Sequence, residues 1–161
     1  VIYICEHNLD GAMGLIINKP MDDISFKGLK NMKHLNSDHF ENLKMKLYFG
    51  GPILSEKIIA LHTNELKIET TVNLNNKISI SSGIEIIRDI EKDINIDYKL
   101  FSGHCGWVSG QLEREIENGD WLLQSSKLDL LFNQPDEQIW EITTKSLRIN
   151  IIDISNTSGS A

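Results

Sequence analysis

The sequence predicts a single mixed α+β domain over residues 1–161, and three observations lead there. The chain has 161 residues, 40% hydrophobic and 24% charged, which suits one domain with an ordinary core and excludes global disorder. Strand-like and helix-like stretches interleave along its length. The first connection is a tight turn and not a crossover helix, which argues against a purely parallel sheet.

Val1 to Cys5 is a β-branched and aromatic run and reads as a strand. Asn8-Leu9-Asp10-Gly11 is turn chemistry, and Met13 to Ile17 returns as the second strand of a hairpin. Pro20 ends it. Phe26, Leu29 and Met32 recur at threefold spacing after capping residues, which predicts a helix over 26–34, and residues 36–44 read as a polar loop. A strand over 46–49 stops at the rigid corner Gly50-Gly51-Pro52, and another strand follows over 57–62. Residues 63–77 read as an edge strand or a long loop. A short strand over 78–81 leads to the capping box Ser82-Gly83-Ile84-Glu85 and a helix to about Lys92. Residues 97–102 form the strand that feeds a glycine-rich stretch. A helix carrying Leu112 and Ile116 on one face then runs to Gly119, capped by Ser109 or Gly110. Residues 121–124 read as a strand and 128–132 as one helical turn. The last helix starts at Pro135-Asp136-Glu137-Gln138, with its acids at the positive end, and buries Ile139, Trp140, Thr143 and Leu147. Residues 156–161 read as a mobile tail.

The organising stretch is Gly103-His104-Cys105-Gly106-Trp107-Val108-Ser109-Gly110, continuing as Gln111-Leu112-Glu113-Arg114-Glu115-Ile116. With Asn118 and Trp121-Leu122 behind it, this resembles the signature of the YqgE/AlgH family, bacterial proteins of largely unknown function. Two further stretches agree in the family's order: Val1 to Asn8 with Gly11 to Pro20, and Tyr48-Phe49-Gly50-Gly51-Pro52-Ile53 with a strand ending in Leu61-His62. His104-Cys105 departs from the Tyr-Ala the family carries before its Gly-Trp. The resemblance implies a coiled, bifurcated mixed sheet with helices packed against it. It implies further residues ahead of Val1, a strand among them. It also brings the label of transcriptional regulator that relatives carry.

Composition narrows the function. Lys+Arg number 16 against Asp+Glu 23, a formal net charge of -7, which opposes binding to nucleic-acid phosphates. The stripe Lys27, Lys30, Lys33 reads as a solvated helix face. Cys5 and Cys105 form neither a CxxC motif nor a disulfide framework and fit a reducing cytoplasm. No apolar run is long enough to cross a membrane, and no signal peptide is visible.

Four groups of residues are candidates for chemistry. Gly103, Gly106 and Gly110 ahead of a helix N-terminus could hold an anion, but their spacing is neither a P-loop nor a dinucleotide fingerprint, so a structural corner is the plainer reading. Cys5, His7, His104 and Cys105 could supply zinc ligands if their strands were adjacent, and Cys105 could be a nucleophile with His104 or His62 as base. The plainer reading is a small buried thiol and a rim imidazole. Glu113, Glu115 and Glu117 read as a solvated acidic face, with Arg114 pairing locally or meeting a partner's oxyanion. Trp107, Trp121 and Trp140 read as core anchors, with Trp107 the best interface residue of the three. The sequence therefore assigns no catalytic residue, no metal and no cofactor. It points to a cytoplasmic, non-enzymatic protein that binds a protein partner. Gly103, His104, Cys105, Gly106, Trp107, Gly110 and Arg114 are the candidate binding residues. The alternative is a small-molecule-binding protein or enzyme using the 103–110 stretch, and the two readings part on whether His104, Cys105 and His62 line one pocket.

Overall fold

The computed structural model describes residues 1–22, 46–83, 85–92 and 96–147. The expected helix over 26–34, the 36–44 loop and the 156–161 tail lie outside these residues. The described strands are β1 (Ile2–Asn8), β2 (Gly11–Ile16), β3 (Leu47–Phe49), β4 (Ile53–Thr63), β5 (Val72–Asn73), β6 (Ile78–Ser82) and β7 (Tyr98–Val108). The described helices are α1 (Glu85–Lys92), α2 (Gln111–Glu117), α3 (Leu128–Phe132) and α4 (Ile139–Ser146).

The sheet runs β1-β2-β7-β4-β6-β5, with β3 off this path on β7. It divides at β7. Gly11 to Gly14 of β2 pair antiparallel with Val108 to Cys105, whereas Leu47 to Phe49 of β3 pair parallel with Leu100 to Ser102. β3 thus fills the place that β2 leaves, and the Pro20–Tyr48 bridge ties the two together. On its other side β7 pairs with β4 through His62↔Tyr98 to Ile58↔Ser102. This is the coiled, bifurcated mixed sheet that the resemblance implies.

Side chains alternate across a strand, so a sheet covered on both faces needs apolar residues at consecutive positions. β4 supplies them. Ile59 and Leu61 join Tyr3, Leu15, Tyr48 and Phe101 in one core, which Leu131 of α3 and Ile139 of α4 cover. Ile58 and Ala60 join Leu47, Leu100 and three isoleucines of α1, Ile86, Ile87 and Ile90, in the other.

Two expectations need correction. Residues 121–124 form no strand. The Trp121 indole is drawn back onto α2, where its N–H donates to Glu115 Oε2 at 2.7 Å. Trp140 is 47% exposed, because α4 turns Ile139 and Thr144 inward instead.

Candidate functional site

The glycine-rich stretch is mostly strand. β7 continues through Val108, so only Ser109 and Gly110 form the turn before α2. Gly103 sits at φ 69°, at the irregularity where five steps along β4, Ile53 to Ile58, face two along β7, His104 to Ser102. The corner Gly50-Gly51 crosses β7 at this point, backbone against backbone. A Cβ on Gly51 would collide with the His104 carbonyl group, one on Gly50 with the Gly103 carbonyl oxygen, and one on Gly103 would lie 2.5 Å from the Gly51 carbonyl oxygen. The amide of Gly50 donates to the Ser102 carbonyl at 2.9 Å. Glycine is needed here because only a backbone without Cβ lets two chains approach so closely. Gly106 faces the Ile53 side chain within the sheet. The crossing leaves an anion no room at Gly103.

His104 and Cys105 are consecutive in a strand, so their side chains leave on opposite faces. His104 pairs with Ile53 of β4, and Cys105 pairs with Gly14 of β2. The Cys105 thiol donates weakly to the Gly50 carbonyl at 3.6 Å, and burial raises its pKa, which disfavours the thiolate a nucleophile needs. Burial, and secondarily the Lys57 charge, lowers the pKa of His104, whose Nδ1 is buried without a hydrogen-bond partner among the described residues.

His62 is fully buried at the far end of β7's pairing, opposite Tyr98, six residues from His104 and therefore roughly 20 Å away along the strand. Its Nδ1–H donates to the Thr63 carbonyl at 2.7 Å, which leaves Nε2 to accept from the Ser81 hydroxyl at 2.9 Å; Thr71 Oγ1 lies 2.8 Å behind Ser81. Burial lowers its pKa despite the Thr63 carbonyl. This Ser–His pair has the atoms of a catalytic dyad but is sealed from substrate. His104, Cys105 and His62 therefore share no pocket. Cys5 lies on β1, with β2 between it and Cys105, and no group of three potential metal ligands occurs among the described residues.

The remaining candidates gather at the tip of the sheet. Gln111, Glu115 and two tryptophans form a clamp: Trp107 Nε1–H and Trp121 Nε1–H both donate to Glu115 Oε2, at 2.9 and 2.7 Å, and Gln111 Nε2 donates to Oε1 at 2.8 Å. The two indoles meet edge to face at 6.1 Å. These donors, Trp121 first, hold the Glu115 carboxyl below the usual range. Glu115 is thus a receptor for indole N–H groups and not part of a solvated face. Beside the clamp, Ser109 donates its hydroxyl to the Leu9 carbonyl at 2.6 Å instead of capping α2, which starts from Gly110 at φ 70°. That bond joins the hairpin turn to the turn before α2. Leu9 is 93% exposed there and Val108 69%, with Arg114 exposed on α2 and His7 paired to Glu113 at 2.6 Å.

A second polar cluster escaped the sequence reading. Lys99, 5% exposed, donates from Nζ to the Ile17 carbonyl at 2.8 Å and to Asp136 Oδ1 at 2.9 Å, and stands 4.4 Å above the Tyr48 ring. Asp136 Oδ2 accepts from Tyr48 OH at 3.1 Å and Lys46 Nζ at 3.2 Å. Burial pushes the Lys99 ammonium down, and Asp136 opposes it. Burial alone would raise Asp136, but Lys99 chiefly, with Lys46 and Tyr48, brings it below its ordinary value. The expected helix start at Pro135 is a turn closed by Gln138 N–H on the Pro135 carbonyl, and it delivers Asp136 inward. The available signal was a lysine inside the strand run Tyr98-Lys99-Leu100-Phe101. The cluster borders an open cleft of about 310 Å³.

Comparison with known proteins agrees with the architecture. The model of the AlgH-like family matches residues 1–152. A UPF0301 protein of Marinomonas sp. is 36% identical over 162 residues, covering 99% of this chain and 85% of the relative. A UPF0301 protein of Vibrio cholerae is 32% identical, covering 100% and 88%. The solution structure of the AlgH protein from Pseudomonas aeruginosa superposes with a TM-score of 0.74 at 26% identity, covering 99% of this chain and 83% of that one. With the bifurcated sheet, the glycine crossing and these matches together, the chain belongs to the AlgH-like family.

Proposed function

We propose that this protein acts by binding a protein partner through the tip of its sheet. The observation that carries the reading is the pair of exposed apolar side chains, Leu9 in the hairpin turn and Val108 at the end of β7, on segments joined by the Ser109–Leu9 bond. Apolar side chains held out on a rigid support lose little freedom when they are covered, which is how a recognition surface differs from a solvent-exposed accident. Arg114 and the His7–Glu113 pair flank them and supply a polar rim. The net charge of -7 supports a protein partner over nucleic acid, so a role in transcription, which the family resemblance suggests, would run through another protein in the cytoplasm. The scatter of His62, His104 and Cys105 supports binding over catalysis by these residues.

The test is site-specific photocrosslinking in cells, with a photoreactive residue at position 9 and, as control, at position 127. Position 9 is expected to yield one discrete adduct that Val108→Asp abolishes while the circular dichroism of the variant stays native. Absence of an adduct, or one indifferent to Val108→Asp, refutes the reading.

A further inference from the structure

The cleft beside Lys99 holds charges that the fold does not consume. Lys99 and Asp136 neutralise each other, and their hydrogen-bonding capacity is spent inside. The ammonium's three donors go to Ile17, Asp136 and the Tyr48 ring face, and the carboxylate's two oxygens hold Lys99, Tyr48 and Lys46. Among the described residues, two charges face outward. Lys46 has a side chain 71% exposed and, among the described residues, commits one of its three N–H groups, at 3.2 Å, to Asp136. Asp97, exposed on the lining of the same cleft, has its backbone fixed by the amide of Thr63 on its carbonyl at 3.0 Å. Ile96, Tyr98 and Phe132 complete the lining and add apolar surface to a largely polar cleft.

We propose that this cleft binds a small zwitterion with an apolar body, an amino acid or close analogue, with its carboxylate on Lys46 and its ammonium on Asp97. The charges select it. Two positive and two negative side chains among the described residues bring no net charge to the cleft, which disfavours a nucleotide or polyphosphate, while one outward charge of each sign matches a ligand that carries both. A volume of about 310 Å³ lies at the small end of ligand pockets and suits a ligand of amino-acid size. The buried Lys99–Asp136 pair fixes the geometry, because Asp136 positions the Lys46 ammonium and the Tyr48 hydroxyl at the floor.

The experiment follows the backbone amide resonances of residues 96–99 in the intact chain during titration with L-phenylalanine and with L-leucine. 3-Phenylpropanoate, which lacks the ammonium, and 2-phenylethylamine, which lacks the carboxylate, serve as one-armed controls. At least one amino acid is expected to saturate with a Kd of about 1 mM, and each one-armed compound to bind about tenfold more weakly. Lys46→Gln should weaken L-phenylalanine to the level of 2-phenylethylamine, and Asp97→Asn to that of 3-phenylpropanoate. Both residues are exposed, and the remainder of the amide spectrum reports that each variant is folded. Unsaturable shifts with both amino acids, equal affinity for all the phenyl compounds, or variants that bind like the parent would overturn the proposal.

Discussion

Replacing Asp136 by alanine removes the acceptor of three hydrogen bonds and leaves the Lys99 ammonium, 5% exposed, with only the Ile17 carbonyl and the Tyr48 ring. Breaking a buried pair from one side costs about 3–5 kcal/mol, because the surviving charge is stranded. Against the 5–15 kcal/mol by which domains are usually stable this is a large share, and at about 2–4 °C per kcal/mol it lowers Tm by roughly 6–20 °C. Most of the loss belongs to Lys99. Lys46, with its side chain 71% exposed, contributes little, so Lys46→Gln should stay within about 0.5 kcal/mol. Replacing both buried partners, Lys99→Met with Asp136→Leu, removes the stranded charge and should restore most of the stability. The assay is urea unfolding followed by tryptophan fluorescence. Repeating it in acid adds a sign test. The folded carboxyl titrates below its ordinary 3.8, so its contribution is complete above that value and is lost as pH falls through the folded pKa. The Asp136→Ala penalty must therefore shrink below pH 4. A penalty under about 1 kcal/mol at pH 7, or a double variant no more stable than the single one, would refute the reasoning.

Two further outcomes follow. Gly103→Ala and Gly119→Ala place a side chain at similar positive φ, 69° and 83°, but only Gly103 faces backbone atoms across the β4–β7 crossing. Gly119→Ala should cost about 1–2 kcal/mol and Gly103→Ala about 1–3 kcal/mol more, by the same urea assay; equal costs would mean the crossing is not tight. His62 is buried neutral with its pKa depressed, so the unfolded chain binds the proton first as pH falls below 6.5, and stability declines there by up to about 1.4 kcal/mol per pH unit. His62→Gln should flatten the urea midpoint between pH 7 and 5.5, leaving the smaller slope from His104, whose shift has the same sign; unchanged slopes would place the proton elsewhere.

Local patterning carried most of the element order. The hairpin, the strands at 47–49 and 78–82, α1, α2 and α3 all follow from periodicity and turn chemistry, because their own residues decide them. The strand boundary at Gly103 did not, since glycine there reads as a loop until the partner strand that needs its missing Cβ is known. Trp121 and Glu115 were misread for a related reason: an indole N–H and a carboxylate six residues apart become partners only once the chain doubles back over α2. Asp136 and Lys99 are 37 residues apart in sequence, and their pairing depends on where β7 passes beneath the 135–138 turn. Leu9 was legible as part of a turn, but its exposure beside Val108 required the Ser109 bond across 100 residues.

The central place of β7 has a consequence for synthesis. β2, β3 and β4 each hydrogen-bond to it, and it is the last of the described strands to leave the ribosome. The β1–β2 hairpin can close as soon as it emerges, but its inner edge then waits for residues 98–108, a delay of roughly 5–20 s at ordinary elongation rates. During that interval the nascent chain displays open strand edges, and Ile59 and Leu61 wait for Phe101 of β7 and for Leu131 and Ile139 of the helices behind it to complete their core. Completion of the sheet is then a single late event that joins segments far apart in sequence, which makes folding slow for a protein of this size and truncation before residue 108 ruinous.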